Sequence, residues 1–553
     1  MDYMKLAELL FPHIDKTPAD YEKLFPQRKL PDDAVVTRLG PSPTGFIHLG
    51  NLYGAFVDER LAHQSGGIFY LRIEDTDDKR YVEGAVDTII SSLGFFDINF
   101  DEGALHDGES GEYGPYYQSR RGEIYQCFAK ELVKNGFAYP CFLTEDELAE
   151  IRRQQEEAKE TTGIYGKYAE KSRNLSFEEI SAQLTAGSPY VIRLKSSGNH
   201  QLPAEKIRHI QVEDAIRGTL SLPENDQDVI LLKATGIPTY HFAHVIDDHL
   251  MRTTHVVRGE EWLMSLPVHV ELFEKLGFKM PVYCHTAQLL KLDDGNKRKL
   301  SKRKDPELSL DYYRREGYHP QAVKEYLLTI LNSNFEEWRI KNPDAPAESF
   351  PFTLEKMSSG GALFDLDKLR DISKEVLVRI PASRLCRFMM DWAGHFKREI
   401  LPLFEGQESY IERILDLGRG GSKPRKDLIC ASQIFDFISY FFDDFFRIED
   451  SVPENISDED AAEILTRYLA TYDHSDDQSQ WFDKIRSIAG EMGYAVKPKD
   501  FKKNPDQYKG HVGHVSTVIR IAVTGRSQSP DIWEIQQILG EARTRERIEA
   551  LIR

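Results

Sequence analysis

The chain has 553 residues, 41% of them hydrophobic, which is enough for about three or four domains with buried cores. Its formal net charge of -19 makes it a poor non-specific binder of nucleic acid, so any such binding requires local basic patches. No apolar run approaches the roughly 18 residues that cross a bilayer, and the N-terminal residues do not follow a signal-peptide pattern. We therefore expect a cytoplasmic protein that makes no membrane contact.

The first predicted elements form a β-turn-α-β unit. Residues 1–32 are helical and then interrupted by prolines, and we interpret them as an N-terminal extension. A strand at 35–39, a helix at 51–64 and a strand at 68–73 follow. Such a unit predicts parallel strands joined by a right-handed crossover, with ligands bound at the carboxyl ends of the strands.

The pattern then changes to charged helices. Helices are predicted at 121–135 and 145–160, and a strand at 190–195, so we interpret 116–225 as a domain inserted into the nucleotide fold. A buried strand at 228–232 marks the return to that fold.

The last third of the chain is predicted to be helical. Residues 366–553 show helical periodicity, for example at 428–446, and the acidic, proline-broken stretch 449–460 is typical of a loop. Tyr440, Phe441 and Phe445 are candidates for stacking on unpaired bases, but core packing is the better interpretation.

The cysteines do not form a CxxC pair. We therefore expect reduced, mostly buried thiols, and neither a zinc site nor a disulfide framework. They are Cys127, Cys141, Cys284, Cys386 and Cys430.

A proline- and glycine-rich turn follows the first strand and has the sequence Pro-Ser-Pro-Thr-Gly-Phe-Ile-His-Leu-Gly-Asn over residues 41–51. His48 immediately precedes a helix, where N–H groups and the helix dipole favour phosphate. Gly45 and Gly50 remove side chains where a nucleotide must lie close. A bare His-x-Gly is more often a core histidine at a tight turn, but the preceding Pro-Ser-Pro-Thr-Gly favours a phosphate site.

A second signature, Lys-Leu-Ser-Lys-Arg at 299–303, follows a glycine-containing turn. The surrounding stretch 291–304 holds seven basic residues against two acidic ones, about +5 locally. A mobile loop with two lysines can close on a triphosphate and stabilise its transition state. The alternative is a solvated basic loop. A further basic run at 419–426 is interpreted as a solvated or linker segment.

Three charged residues near predicted strand ends fit an acidic amino acid. Such a substrate has two carboxylates and one ammonium, so its site needs two cations and one anion. Arg38, Arg258 and Glu74 provide that set if they converge, and arginine is suited to bidentate carboxylate contacts. Taken singly, each could form an ordinary surface salt bridge.

The two signatures, together with the acidic strand end Arg-Ile-Glu-Asp-Thr-Asp at 72–77, resemble the class I aminoacyl-tRNA synthetases. Within them the similarity is to the glutamyl-tRNA synthetase family, and it covers nearly all of 35–370. The resemblance implies an α/β fold: a Rossmann-type nucleotide-binding domain, an inserted α/β acceptor-binding domain and an all-α C-terminal anticodon-binding region. The expected divisions are an extension 1–32, catalytic halves 33–115 and 226–290, an insertion 116–225, a stem-contact region 291–365 and a helical region 366–553.

The resemblance also implies roles for individual residues. The glutamate-binding set is Arg38, Ser42, Glu74, Tyr240, His244 and Arg258. The ATP-binding set is Thr44, Gly45, His48, Gly50, Asn51, Trp262, Lys299 and Lys302. The catalytic set is His48, Lys299, Ser301 and Lys302.

The chain departs from the family pattern at two positions and in one missing cluster. Asn51 stands where other class I synthetases carry histidine, and His244 stands where some relatives carry asparagine. The zinc-binding cysteine cluster of some members is absent, with only Cys141 in that region.

The resemblance implies ATP-dependent attachment of glutamate to tRNA(Glu) through glutamyl-adenylate, releasing AMP and pyrophosphate. ATP and Mg²⁺ are the expected cofactors, without zinc, and we expect a monomer. A non-discriminating enzyme that also charges tRNA(Gln), a glutaminyl-tRNA synthetase, and a non-catalytic tRNA-binding paralogue remain alternatives. Intact ATP signatures count against the paralogue, and the long helical C-terminal region counts against truncated relatives that modify tRNA(Asp) and against small nucleotidylyltransferases.

Overall fold

The computed structural model describes residues 1–44, 47–77, 82–199, 202, 206–420 and 424–552. The chain divides into two compact units. Unit 1 contains 1–312 and 327–365, and unit 2 contains 313–326 and 366–553. Among the described residues, no helix combines the length and apolar character needed to cross a bilayer.

The strands are β1 Val36–Leu39, β2 Ile68–Leu71, β3 Glu102–Ala104, β4 Glu109–Ser110, β5 Ala138–Cys141, β6 Val191–Leu194, β7 His209–Asp214, β8 Gly218–Pro223, β9 Ile230–Leu232, β10 His255–Gly259, β11 Val282–Thr286, β12 Leu289–Asp293, β13 Asn296–Lys299 and β14 Ala362–Leu363.

The helices are α1 Tyr3–Leu10, α2 Pro18–Leu24, α3 Leu49–Gln64, α4 Ala85–Gly94, α5 Gly122–Lys134, α6 Glu145–Ala158, α7 Gly166–Arg173, α8 Phe177–Thr185, α9 Tyr240–Leu250, α10 Leu266–Leu276, α11 Leu310–Glu316, α12 Pro320–Leu331, α13 Phe335–Lys341, α14 Leu366–Arg379, α15 Ala382–Phe396, α16 Glu408–Leu415, α17 Ile434–Ile438, α18 Asp458–Thr471, α19 Gln478–Glu491, α20 Pro498–Lys503, α21 Val512–Thr524, α22 Ile532–Leu539 and α23 Glu541–Ile552.

A parallel arrangement of strands forms the centre of unit 1. β1 pairs with β2 in parallel register, and the buried helix α3 makes the connection between them. β10 lies beside β1, where the Thr254 N–H donates to the Val36 carbonyl at 2.9 Å, and β10 pairs in parallel with β11. The predicted β-turn-α-β unit and Rossmann-type fold are thus confirmed. Because the strands are parallel, the carboxyl ends of β1 and β10 meet at one edge.

The predicted insertion is not separated from the rest of unit 1 by sheet pairing. β5, β6 and β9 form one antiparallel sheet, so the strand expected to resume the nucleotide fold at 228–232 pairs with the insertion instead. Conversely, the β7–β8 hairpin reaches β11 through the pair Asp214 and Tyr283. Hydrogen bonding therefore crosses the expected boundary at 225 in both directions, because edge strands pair with whichever neighbour satisfies their backbone groups.

The N-terminal helices are part of the core of unit 1. Leu6, Leu10, Tyr21 and Phe25 are buried in a cluster that includes residues of α5 and α9. Arg28 adds a partly buried bidentate ion pair to Glu102 at 2.8 and 3.0 Å. The segment expected to be an extension thus stabilises unit 1 by burial of apolar surface.

The described residues of 366–552 contain helices and no strand, as predicted for an all-α region. The stretch 428–446 is not one helix, however: the five-residue α17 is flanked by short 3₁₀ turns. Arginines from distant segments donate to its carbonyls, including Arg526 to Asp436 and Arg547 to Tyr440, and so replace helical hydrogen bonds.

The aromatic side chains of this stretch divide between core and surface. Tyr440 and Phe441 are buried, which confirms core packing for those two residues, whereas Phe445 is exposed. All five cysteines are buried thiols.

Candidate functional site

A cavity of about 460 Å³ opens at the carboxyl ends of β1 and β10. The beginning of α3 and the segment after β13 complete its walls. Its volume is in the range of small-molecule sites. A larger cavity of about 620 Å³ lies against α1, α7 and α8, and its Arg173 is paired with Asp228. Of the two, the strand-end cavity is the site expected from the topology.

The cavity brings together most of the residues predicted from the sequence. Those that line it are Arg38, His48, Gly50, Asn51, Glu74, Tyr240, Arg258, Trp262, Lys299 and Lys302. Ser42, Thr44, His244 and Ser301 are outside the set of lining residues, and Gly45 lies outside the described residues.

The N-terminus of α3 is closed by a reciprocal cap. The His48 N–H donates to Asn51 Oδ1 at 3.0 Å, and His48 Nδ1 accepts from the Asn51 N–H at 3.2 Å. Burial, together with Lys302 and Lys299, lowers the pKa of His48. The imidazole is therefore neutral, with its proton on Nε2, and Nε2–H is a donor of the type that phosphate oxygens accept.

Gly50 keeps this ring in place. A Cβ at position 50 would lie 3.0 Å from His48 Nδ1 and Cε1, which is tighter than ordinary packing allows. The space that Gly50 leaves is occupied by the histidine ring of the cap, and the close approach of a nucleotide at this glycine stays a prediction.

The turn after β1 is held by backbone contacts. The Thr44 N–H donates to the Ser42 carbonyl at 2.8 Å, and the Glu74 N–H donates to the Pro41 carbonyl at 3.0 Å. The side chains of Ser42 and Thr44 are exposed. Their predicted substrate contacts therefore require a ligand to reach the turn.

Arg38 belongs to a buried network of alternating charges. Its Nε lies 3.1 Å from Asp248 Oδ1, and Arg72 Nη1 lies 2.6 Å from the same oxygen. The two guanidinium groups hold the pKa of Asp248 well below its usual range, against the opposing effect of burial. Most of the charge of Arg38 is thus compensated within the protein.

Glu74 is the acidic member of this side of the cavity. It accepts from Arg72 Nη2 at 3.0 Å, yet burial raises its pKa above the ordinary value. Gly40 leaves room for this carboxylate, because a Cβ at position 40 would lie 2.4 Å from Glu74 Oε1 and would force the side chain to shift. The carboxylate is thus fixed beside the cavity, where an ammonium group would stabilise its charged form.

Arg258, on β10, has uncharged neighbours. Its Nε donates to His285 Nε2 at 2.9 Å, Nη1 lies 3.1 Å from His269 Nδ1 and 3.4 Å from the Tyr240 hydroxyl, and the guanidinium lies 4.6 Å from the centre of the Tyr283 ring. Its Nη2 is buried and has no hydrogen-bond partner in the part of the chain that the structure describes. Arg258 therefore brings an uncompensated positive charge to the cavity.

Aromatic rings form the wall beside Arg258. The rings of Tyr240 and Trp262 are 4.4 Å apart, and Trp262 is 36% exposed. His244 lies beneath Tyr240, one helical turn along α9, and is fully buried; burial lowers its pKa to about 3. Its Nδ1 lies 2.7 Å from Asp248 Oδ2 and its Nε2 lies 2.9 Å from the Tyr283 hydroxyl, so it joins the charge network to a ring beside Arg258.

The Lys-Leu-Ser-Lys-Arg segment starts at the end of the β12–β13 hairpin. The turn of this hairpin has positive φ at Asp294 and Gly295, which suits its glycine. Asp305 anchors the segment by accepting from Arg298 at 2.6 and 2.8 Å and from the Ser301 N–H at 2.8 Å. Lys299 and Lys302 are held at the cavity by this anchor, and Ser301 is part of it.

Sequence reasoning missed the acids and histidines behind the lining residues. Asp248 follows Tyr240 and His244 at four-residue intervals on α9, and this helical spacing was a usable signal. Asp58 was not identified: it lines the cavity, both carboxyl oxygens lack a hydrogen-bond partner among the described residues, and burial raises its pKa well above the usual range. His285 lies far along the chain from Arg258, and no local pattern indicates it.

The site can thus bind a molecule with both signs of charge beside a phosphate chain. Arg258 and Glu74 provide opposite charges at the strand ends, and His48, Lys299 and Lys302 provide donors and positive charge near the start of α3. Among the described residues, no group of three or more His, Cys, Asp or Glu side chains has an arrangement that could hold a metal ion.

Comparison with known families matches most of the chain. Residues 34–371 match the family of class I tRNA synthetases (E and Q), catalytic domain. Residues 395–552 match an anticodon binding domain.

Similar proteins extend over the whole chain. A glutamate–tRNA ligase of Acetivibrio thermocellus is 64% identical over 553 residues, covering 100% of both chains. One from Clostridium perfringens is 47% identical, covering 99% of this chain and 100% of the relative. The crystal structure of a glutamate tRNA ligase from Elizabethkingia meningosepticum, in complex with its amino acid, is 28% identical with a TM-score of 0.75, covering 94% of this chain and 99% of that chain. That of Elizabethkingia anophelis glutamate-tRNA synthetase has a TM-score of 0.73 at 28% identity, with the same coverage.

Proposed function

The chain belongs to the class I tRNA synthetases of the glutamate and glutamine type, and from this premise we propose that it is a glutamate–tRNA ligase. It joins glutamate to the 3′-terminal adenosine of tRNA(Glu) at the expense of ATP, releasing AMP and pyrophosphate. The observation that supports glutamate as the substrate is the uncompensated guanidinium of Arg258 at the cavity wall.

Glutamate binding uses the opposite charges at the strand ends. Arg258 receives one substrate carboxylate, since an arginine without a carboxylate partner gains most from an incoming anion. Arg38 contributes the part of its positive charge that Asp248 does not compensate. Glu74 binds the substrate ammonium group. Glutamine has an amide in place of the side-chain carboxylate and would gain less wherever that group meets a guanidinium, so the charges of the site favour glutamate.

ATP occupies the side of the cavity formed by α3 and the lysine segment. His48 Nε2–H and the N-terminus of α3 donate to phosphate oxygens, and Lys299 and Lys302 neutralise negative charge. Trp262 offers an aromatic face to the nucleotide. A Mg²⁺ ion carried by the ATP phosphates would supply further neutralisation of charge, in keeping with its preference for few protein ligands.

The reaction takes place in two displacements. An α-carboxylate oxygen of glutamate forms a bond to the α-phosphorus of ATP, and the bond to the bridging oxygen breaks, so pyrophosphate leaves. The 2′-hydroxyl of the terminal adenosine then attacks the acyl carbon, loses its proton, and AMP leaves. No residue becomes covalently attached. The chain aligns the two anions and stabilises the charge that develops on phosphorus.

We assign tRNA contacts to three other parts of the chain. The inserted region 116–225 contacts the acceptor end, 291–365 contacts the stem, and 366–553 contacts the anticodon. In unit 2 an exposed lysine cluster on and around α20 suits a phosphate backbone in this otherwise acidic protein: Lys497, Lys499, Lys502, Lys503 and Lys509. A monomer is sufficient for this arrangement, and light scattering tests it.

Charging assays test the function. Purified tRNA(Glu) and tRNA(Gln) are each incubated with labelled glutamate and, separately, with labelled glutamine. Glutamate on tRNA(Glu) is the expected result. Glutamate on both tRNAs would make the enzyme non-discriminating, glutamine charging would overturn the substrate assignment, and no charging would favour a non-catalytic tRNA-binding protein.

A further inference from the structure

Two neutral histidines hold Arg258 from behind. His285, on β11, accepts from Arg258 Nε at 2.9 Å, and His269, on α10, lies 3.1 Å from Nη1. Both histidines are fully buried. They come from elements that flank β10, so each fixes a different nitrogen of the guanidinium.

The protonation of His285 follows from its partners. A guanidinium only donates, so His285 Nε2 must carry a lone pair, and the ring proton is on Nδ1. Nδ1 lies 2.7 Å from Asp214 Oδ2, at the end of β7, and donates to it. Asp214 also accepts the His285 N–H at 3.1 Å, and its other oxygen accepts from the N–H groups of Ile216 and Arg217 at 3.0 and 2.9 Å. Asp214 thus sets both the orientation and the tautomer of His285.

The same argument fixes His269. Its Nδ1 faces Arg258 and must accept, so its proton is on Nε2, which lies 3.0 Å from His241 Nδ1 and donates to it. Burial lowers the pKa of His269 well below its ordinary value and that of His241 to about 4, in agreement with neutral rings.

Neutral acceptors differ in effect from the carboxylate that holds Arg38. They take hydrogen bonds from Arg258 and so restrict its rotation, but they leave its net charge uncompensated. A carboxylate in the same place would compete with a substrate anion.

We propose that His285 and His269 are positioning residues for glutamate recognition, which hold Arg258 in place through hydrogen bonds without neutralising it, with Asp214 fixing the tautomer of His285. This inference rests on the proposed function, because the anion that Arg258 meets is a carboxylate of glutamate. The histidines themselves do not line the cavity and act through Arg258.

The test measures charging of tRNA(Glu) by His285→Ala and His269→Ala. We expect the KM for glutamate to rise roughly tenfold to a hundredfold, the range for losing one hydrogen bond to a charged group. The KM for ATP and kcat should change by less than about threefold, because neither histidine contacts the nucleotide side. His285→Gln, whose amide oxygen can accept from Arg258, should recover most of the glutamate affinity.

His255→Asn is the matched control. His255 lies on the same strand as Arg258, and its Nδ1 lies 2.9 Å from the Thr254 hydroxyl. Its kinetics should match the wild type, and thermal melting should show that all variants are folded.

Three results would overturn the proposal. The first is a glutamate KM within about twofold of wild type in both alanine variants. The second is a parallel loss of glutamate affinity, ATP affinity and kcat that His285→Gln does not recover. The third is a wild type that charges no tRNA with glutamate, which is distinguishable because it refutes the proposed function before any variant is compared.

Discussion

The two arginines at the strand ends of the cavity are held in opposite ways. Arg38 is part of a buried network in which Asp248 bridges it to Arg72. Arg258 is instead surrounded by neutral imidazoles and tyrosines, which leave its positive charge uncompensated. The first arrangement serves stability, since removing one partner leaves a buried charge alone. The second serves binding, since its missing partner arrives with the substrate.

The comparison predicts its largest effect at Asp248. Asp248→Ala would remove the carboxylate that Arg38 and Arg72 share and leave Glu74 and Asp247 on the Arg72 side to compensate two buried guanidinium groups, so the free energy of unfolding should fall by about 3–5 kcal/mol. A urea titration measures it. Loss of less than about 1 kcal/mol would show that water or rearrangement compensates the arginines and that the network is not structural.

Lys302 tests whether the phosphate side acts independently of both arginines. Lys302→Ala should lower kcat about a hundredfold and leave the KM for glutamate nearly unchanged, because the lysine meets charge that develops in the transition state. Lys304→Ala is the control: Lys304 is exposed and is not a cavity-lining residue. Equal effects in the two variants, measured by steady-state charging, would contradict the assignment.

The pH dependence of stability tests the protonation state of Asp58, a buried acid near Arg38. Burial raises the pKa of Asp58 in the folded protein. Above about pH 4, the pKa of an unfolded aspartate, the unfolded chain therefore loses a proton that the folded chain keeps. The free energy of unfolding then declines with rising pH until Asp58 also ionises in the folded protein. An asparagine side chain does not titrate. Asp58→Asn should therefore gain stability relative to wild type, by up to about 1.4 kcal/mol for each pH unit in that interval.

Unfolding at pH 5 and pH 8 measures this difference. If the stability difference between Asp58→Asn and the wild type stayed constant between the two pH values, Asp58 would be ionised in the fold and would have a partner that the geometry does not reveal.

A half-exposed charge cluster gives the smallest effect. Hydrogen bonds that the His63 ring donates to Asp101 and Glu59 raise the pKa of His63 to about 9, above its unfolded value near 6.5. Its contribution to stability is therefore complete below pH 6.5 and is lost as pH rises through 9. Since solvent screens the cluster, His63→Asn should cost only about 1 kcal/mol more at pH 6 than at pH 10. Denaturation curves at both pH values check it, and a cost that is independent of pH would refute the ion pairs.

Local patterns were sufficient to predict part of the cavity wall, although they missed Asp58 and named four residues that do not line it. The turn at 41–51, the lysine segment at 299–303 and the charged residues Arg38, Glu74 and Arg258 are each visible within a few residues of sequence, and the parallel topology brings them to one edge. The elements of the first β-turn-α-β unit follow in the same way from hydrophobic periodicity.

The groups behind the wall depend on long-range contacts. Pairing of β10 with β11 and of β11 with β7 brings His285 and Asp214 behind Arg258. A further long-range pairing joins β9 to the insertion. Hydrophobic periodicity reveals none of these pairings. The interruption of the helix near α17 also depends on long-range contacts, because Arg526 and Arg547 donate hydrogen bonds to backbone carbonyls of this stretch. A side chain that acts by holding another residue in place can be identified only when the fold shows which residues it contacts.

Substitution of Arg258 tests the central claim most directly. For Arg258→Gln, glutamate KM in tRNA(Glu) charging and the free energy of unfolding are measured on the same preparation. The account predicts a KM at least about a hundredfold higher, from loss of a buried charge pair, with unfolding changed by less than about 1 kcal/mol. An unchanged KM, or a loss of stability as large as that of Asp248→Ala, would contradict it.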